Sequence, residues 1–115
     1  MLKVYFKSNC STCRTALQLM RENTKEKIET IEYLVETPSI AELKEIVTML
    51  GVKPEDIVRK KESLYKEKYE GKKITGTQWL KILHQNPILI ERPIIIKGDH
   101  AIIGRPIERI IDFVK

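Results

Sequence analysis

The sequence predicts an α/β fold with the element order βαβ, then helices, then ββα. Two observations carry that prediction. Short β-type runs stand at the two ends of the chain, whereas the middle carries helical periodicity and helix-start signals. The only two cysteines, Cys10 and Cys13, fall at the first strand-to-helix junction, where a Cys-x-x-Cys pair is a redox signature.

Leu2, Val4, Tyr5 and Phe6 read as the first strand, Leu2 to Phe6. Ala16, Leu17, Leu19 and Met20 give the first helix, roughly Ser11 to Arg21, and Ile28, Ile31 and Tyr33 mark a second strand, completing a βαβ opening. Pro38-Ser39 then introduces a helix through the capping-box pattern Ser39-x-x-Glu42, with Leu43, Ile46, Val47 and Leu50 on one face and a stop at Gly51. A turn around Pro54-Glu55-Asp56 leads through Ile57 and Val58 to Arg59, and a charged helix is expected from there to about Gly71. Thr75-x-x-Gln78 is a second capping box, opening a helix with Trp79, Leu80, Ile82 and Leu83 that ends before Asn86-Pro87. Ile94-Ile95-Ile96, a turn at Gly98-Asp99-His100, and Ala101-Ile102-Ile103 read as a β-hairpin. Gly104-Arg105-Pro106 opens a last helix, with Pro106 near its first position and Ile107, Ile110, Ile111 and Val114 on one face. With a dithiol after the first strand, this order predicts a thioredoxin-like fold. The 115 residues are expected to form a single domain, residues 1–35 and 86–115 supplying its two halves and about 36–85 a helical insertion.

The position of the dithiol sets its expected chemistry. Both cysteines should sit on the first turn of the first helix, where unpaired backbone N–H groups and the positive end of the dipole favour a thiolate. Cys10 is expected to have a lowered pKa, within the roughly 3.5–7.5 range such sites reach. Three-residue spacing on a helical turn, about 5–6 Å between Cα atoms, suits a disulfide, so Cys13 can resolve whatever Cys10 forms. Zinc is the competing use of Cys-x-x-Cys, but His84 and His100 lie far from finger spacing, and no metal site is expected.

No run approaches the length of a membrane span, and the first residues lack a leader pattern, so a cytoplasmic protein is expected. Close-spaced cysteines in a reducing compartment favour a catalytic or sensing role over a permanent bridge. The formal net charge of +5 suits an anionic ligand or partner. Much of the excess lies in Lys60, Lys61, Lys66, Lys68, Lys72 and Lys73, read as a solvated helix face with Glu62, Glu67 and Glu70 interspersed. Only Tyr65 and Tyr69 accompany that run, so direct nucleic-acid binding is not expected.

Three segments occurring in order carry a family resemblance: Ser8-Asn9-Cys10-Ser11-Thr12-Cys13-Arg14, Asn86-Pro87-Ile88-Leu89-Ile90-Glu91-Arg92-Pro93-Ile94, and Gly104-Arg105-Pro106. The chain resembles the glutaredoxin-coupled arsenate reductases and their relatives, the Spx regulators that bind RNA polymerase. The resemblance implies that Cys10 attacks arsenate or a similar small oxyanion, that Arg59, Arg92 and Arg105 hold it, and that the bond before Pro93 is cis. It implies no bound cofactor and, as electron donor, glutathione with glutaredoxin, or thioredoxin. Arginines fit such work because a thiolate attacking an anion must overcome repulsion, which planar, always-charged guanidinium groups offset.

Several of these residues also have plainer explanations. Arg59 is either an oxyanion ligand or the first member of the basic run, and Arg92 either a ligand or a surface residue beside Glu91. Arg14 either stabilises a cysteine thiolate or faces solvent. Arg105 at a helix start opposes the dipole, which points to a binding task. The chain departs from the reductases in having Cys13 where they often carry serine, and Phe6 where a histidine can stand near the loop. Cys-x-x-Cys is the Spx pattern and implies RNA polymerase as an alternative partner, with Gly51 in the matching contact region, whereas Gly104-Arg105-Pro106 is the reductase form of the third segment.

Overall fold

A computed structural model describes residues 1–115. Its chain order is β1 (Leu2–Phe6), α1 (Ser11–Asn23), β2 (Ile28–Glu32), α2 (Ile40–Leu50), α3 (Ser63–Lys68), α4 (Gly76–Gln85), β3 (Ile94–Lys97), β4 (His100–Ile103) and α5 (Arg109–Val114). Short 3-10 turns occupy Pro54–Ile57 and Pro87–Leu89. This is the thioredoxin-like order expected, βαβ followed by helices and then ββα. Contacts divide the chain into two compact units, Met1–Glu36 with Arg92–Lys115, and Thr37–Glu91.

In the first unit the four strands pair in the order β2-β1-β3-β4. β1 runs parallel to β2, with Val4 opposite Thr30, and antiparallel to β3, with Val4 opposite Ile95. The β3–β4 hairpin turns at Gly98-Asp99, with Gly98 left-handed at φ 63°. Leu2 and Val4, two residues apart on β1 and so on one face, pack with Ile95, with Ala16 and Met20 of α1, and with Ile110 and Val114 of α5. Adjacent Ile94 and Ile95 point to opposite faces and are both buried, which explains the unbroken isoleucine run.

The second unit is built from the helix signals foreseen. The Ser39–Glu42 and Thr75–Gln78 capping boxes both form, and Gly51 closes α2 at φ 71°, its N–H bonding back to Thr48 O. Tyr65 stacks on Trp79 at 6.2 Å between ring centroids, and His84 Nδ1 lies 2.9 Å from Pro38 O. A bridge between Val58 and Ile90 ties residues 86–91 to this unit, so the return to the sheet comes at Arg92 rather than at residue 86.

Two helices are shorter than expected. The charged stretch forms only the six residues of α3, because Glu62 gives no side-chain cap, the lysines supply no apolar stripe, and a turn closes at Gly71 with φ 79°. At the C-terminus, α5 begins at Arg109. The N–H groups of Arg109 and Ile110 bond three residues back, to Pro106 O and Ile107 O, so a tight turn precedes the helix and Pro106 is not its first residue.

Candidate active site around Cys10

The loop after β1 delivers Cys10 to the N-terminal end of α1, where it is the N-cap residue in extended conformation, φ −97° and ψ 117°. Its N–H donates to Lys7 O at 3.1 Å, and its carbonyl accepts the Arg14 N–H at 3.0 Å. The Ser8 N–H donates to the Glu32 carboxylate at the end of β2, tethering the loop to the sheet. Cys13 lies within the first turn, fully buried, while Cys10 is half-buried, and both are free thiols.

The two thiols are pushed apart in acidity. Partial burial opposes ionisation of Cys10, but the backbone N–H and thiol of Cys13, together with the Arg92 guanidinium, outweigh it and bring its pKa down to about 7. Burial pushes the Cys13 thiol up to about 11; the Lys7 backbone acts the other way, and the Cys10 sulfur adds to the rise. Near neutral pH Cys10 is therefore about half thiolate, whereas Cys13 holds its proton. This asymmetry makes Cys10 the more readily ionised thiol of the pair.

Arg92 ends the loop before β3 and is only 7% exposed, which removes the explanation of it as a surface residue beside Glu91. Its Nη1 donates to the hydroxyl of Tyr33, itself fully buried, at 3.3 Å. Burial alone would lower the Arg92 pKa, but Tyr33 and Cys10 more than offset it, so the guanidinium stays charged. Its buried Nε has no acceptor in the protein.

Arg105 reaches the same place from the β4–α5 loop. Its Nε donates to Arg92 O at 2.7 Å and its Nη2 lies 3.9 Å from Cys10 Sγ. It stands four residues before α5, so no helix N-terminus opposes its charge, contrary to the dipole argument made from the sequence. The Arg92–Pro93 peptide bond is cis, and Arg105–Pro106 is a second cis bond that nothing in the sequence reading foresaw. Pro93 is buried, and its carbonyl accepts the Gly104 N–H at 2.8 Å. A Cβ on Gly104 would stand 3.0 Å from Pro93 Cγ and 3.1 Å from Ile110 Cδ1. Glycine is therefore what lets the Arg105 loop lie against Pro93.

The first unit thus brings together Cys10, Cys13, Arg92, Arg105 and Pro93. Arg14 is exposed, and neither thiol owes its acidity to it. Arg59 belongs to the second unit, where its N–H donates to Leu89 O at 2.7 Å and its Nε lies 3.6 Å from Glu62. It precedes α3 and is not part of that helix. Tyr33 was read only as a strand residue; a hydroxyl partner 59 positions away leaves no local trace. A thiolate beside two guanidinium groups is an electropositive setting suited to an anion.

Comparison with known proteins agrees with this chemistry. The chain is similar to the uncharacterized protein YfgD of Escherichia coli K12, 33% identical over 115 residues covering 98% of this chain and 96% of that one. It is equally similar to an arsenate reductase of Neisseria meningitidis, 33% identical over 111 residues, covering 95% and 94% of the two chains. The solved structure of an arsenate reductase from Vibrio cholerae superposes with a TM-score of 0.89 at 34% identity, over 96% of this chain and 95% of that one. Residues 5–113 match the ArsC family model, and the chain belongs to the ArsC family.

Proposed function

We propose that this protein is a thiol-dependent oxidoreductase that reduces arsenate or a closely similar oxyanion. The observation that supports this best is the placing of two guanidinium groups, Arg92 and Arg105, at the Cys10 thiolate. The two guanidinium groups would hold oxyanion oxygens and offset the repulsion between thiolate and anion. Arg59 is assigned a third contact on the family resemblance alone.

The Cys10 thiolate attacks arsenic, forming an S–As bond, and one arsenate oxygen leaves as water after protonation. A second thiol then attacks the Cys10 sulfur. The S–As bond breaks with its electron pair remaining on arsenic, which becomes trivalent, while the two sulfurs join as a disulfide. Cys13 or glutathione supplies that second thiol. Cys13 suits the task in timing: part of what raises its pKa is the Cys10 sulfur, and that influence falls once the sulfur is bound to arsenic. Glutathione with glutaredoxin, or thioredoxin, restores the thiols.

Arsenate reduction in a coupled assay tests the reading. The parent protein should turn over with at least one of these donors, Arg92→Ala should lose most activity, and Arg59→Ala should raise KM for arsenate. No turnover with any donor would remove the substrate assignment. The thiol pair also supports a second reading, a redox-switched regulator that binds RNA polymerase. An oxidation-dependent complex in a pull-down would favour it, and no complex in either state would end it.

A further inference from the structure

The charge of this protein is concentrated in a stretch that the chemistry at Cys10 does not use. From Arg59 to Lys81 there are eight basic residues against Glu62, Glu67 and Glu70, an excess equal to the +5 of the whole chain. The remaining residues are therefore balanced. The structure keeps these lysines solvated, as the sequence predicts, but breaks up the long helix expected to carry them. The helix is only six residues long, Glu62 is taken by Arg59, and all seven lysines of the stretch are exposed and form no ion pair.

Within the second unit, Lys72 and Lys73 of the turn before α4 and Lys81 on α4 converge on one groove with a volume of about 410 Å³. The rest of its lining combines Tyr69, Ile74 and Ile82 with the polar side chains of Gln78 and Gln85. Like charges gathered without partners repel one another, and an anionic occupant relieves that repulsion.

We infer that this groove docks an acidic segment of a partner protein, carboxylate side chains meeting the three lysines and an intervening apolar side chain resting on Ile74 and Ile82. The composition favours a peptide over a nucleic acid. Tyr69, tilted 58° against Trp79 at 5.6 Å between centroids, is the groove's only aromatic ring, so the groove offers no series of stacking platforms for successive bases. No arginine lines the groove to clasp phosphate bidentately, whereas lysine ammonium groups serve carboxylates as mobile point charges and a glutamine amide can bond a peptide backbone.

The test uses the full chain and a fluorescein-labelled peptide of alternating Glu and Leu, with a labelled single-stranded oligonucleotide of equal charge as the competing probe. Fluorescence anisotropy should show peptide binding that weakens as salt rises. The K72E/K73E/K81E variant should lose about tenfold or more of that affinity. K60E/K61E/K66E makes the same change in net charge outside the groove and should lose far less. Thermal unfolding midpoints matching the parent establish that both variants fold. The inference is overturned if the peptide does not bind, if the two variants lose affinity equally, or if the oligonucleotide binds more tightly than the peptide.

Discussion

At the scale of single residues, the acidity of Cys10 depends in part on how Arg92 is held. Arg92 Nη1 donates to the Tyr33 hydroxyl, which helps hold the buried guanidinium where its charge acts on Cys10. Replacing Tyr33 by phenylalanine keeps the packing but removes the acceptor, so about 1 kcal/mol of stability should be lost. The more telling readout is the pH profile of Cys10 alkylation. In the parent the rate should rise as pH passes about 7, the thiolate forming above that value. Arg92→Ala should move the inflection upward by about one unit, the effect of losing an adjacent opposite charge. Tyr33→Phe should move it in the same direction by less, and an unchanged profile would mean that Tyr33 only fills space. Cys10 could be proposed from the sequence because a Cys-x-x-Cys at a strand-to-helix junction is chemically conspicuous, and Arg92 and Arg105 because the family resemblance implied them. Tyr33 could not, since a tyrosine just past the end of a strand looks like any core aromatic.

Among the elements, those with a local physical cause were legible. Ser39 and Thr75 each announced a helix because the cap is written within four residues, and Gly51 ended one because only a left-handed residue closes that turn cheaply. Ser39→Ala should cost about 1 kcal/mol, read as a lower unfolding midpoint in denaturant. α3 and α5 were overextended because their lengths are decided elsewhere. α3 survives only near Tyr65, where a ring packs on Trp79, and α5 waits for the turn after Pro106. The β4–α5 loop carries the sharper prediction. A Gly104→Ala methyl must displace Pro93 or Ile110, costing about 1–3 kcal/mol by overpacking, and should also weaken arsenate binding by shifting Arg105. Lost stability with an unaltered KM would separate the loop's packing from its role at the site.

At the scale of the whole molecule, element order made the fold readable. A dithiol after the first strand and a hairpin-helix at the end leave few right-handed arrangements of a four-stranded sheet. The point where the chain returns to the sheet was less legible: Pro87 is an obvious break, but the Val58–Ile90 bridge that keeps residues 86–91 in the second unit joins residues far apart in sequence. No helix is long and apolar enough to cross a membrane. The resulting division places Cys10, Cys13, Arg92 and Arg105 in one unit and the lysine-rich stretch in the other. The central claim is that Cys10, rather than Cys13 or an external thiol, makes the first bond to the oxyanion. A single-turnover measurement of arsenite formed from arsenate, with excess glutathione and reduced parent, Cys10→Ser and Cys13→Ser proteins, tests it most directly. Cys10→Ser should form none above the protein-free rate, whereas Cys13→Ser should still form arsenite because glutathione can replace the resolving thiol. Arsenite formed by Cys10→Ser at the parent's rate would contradict the assignment.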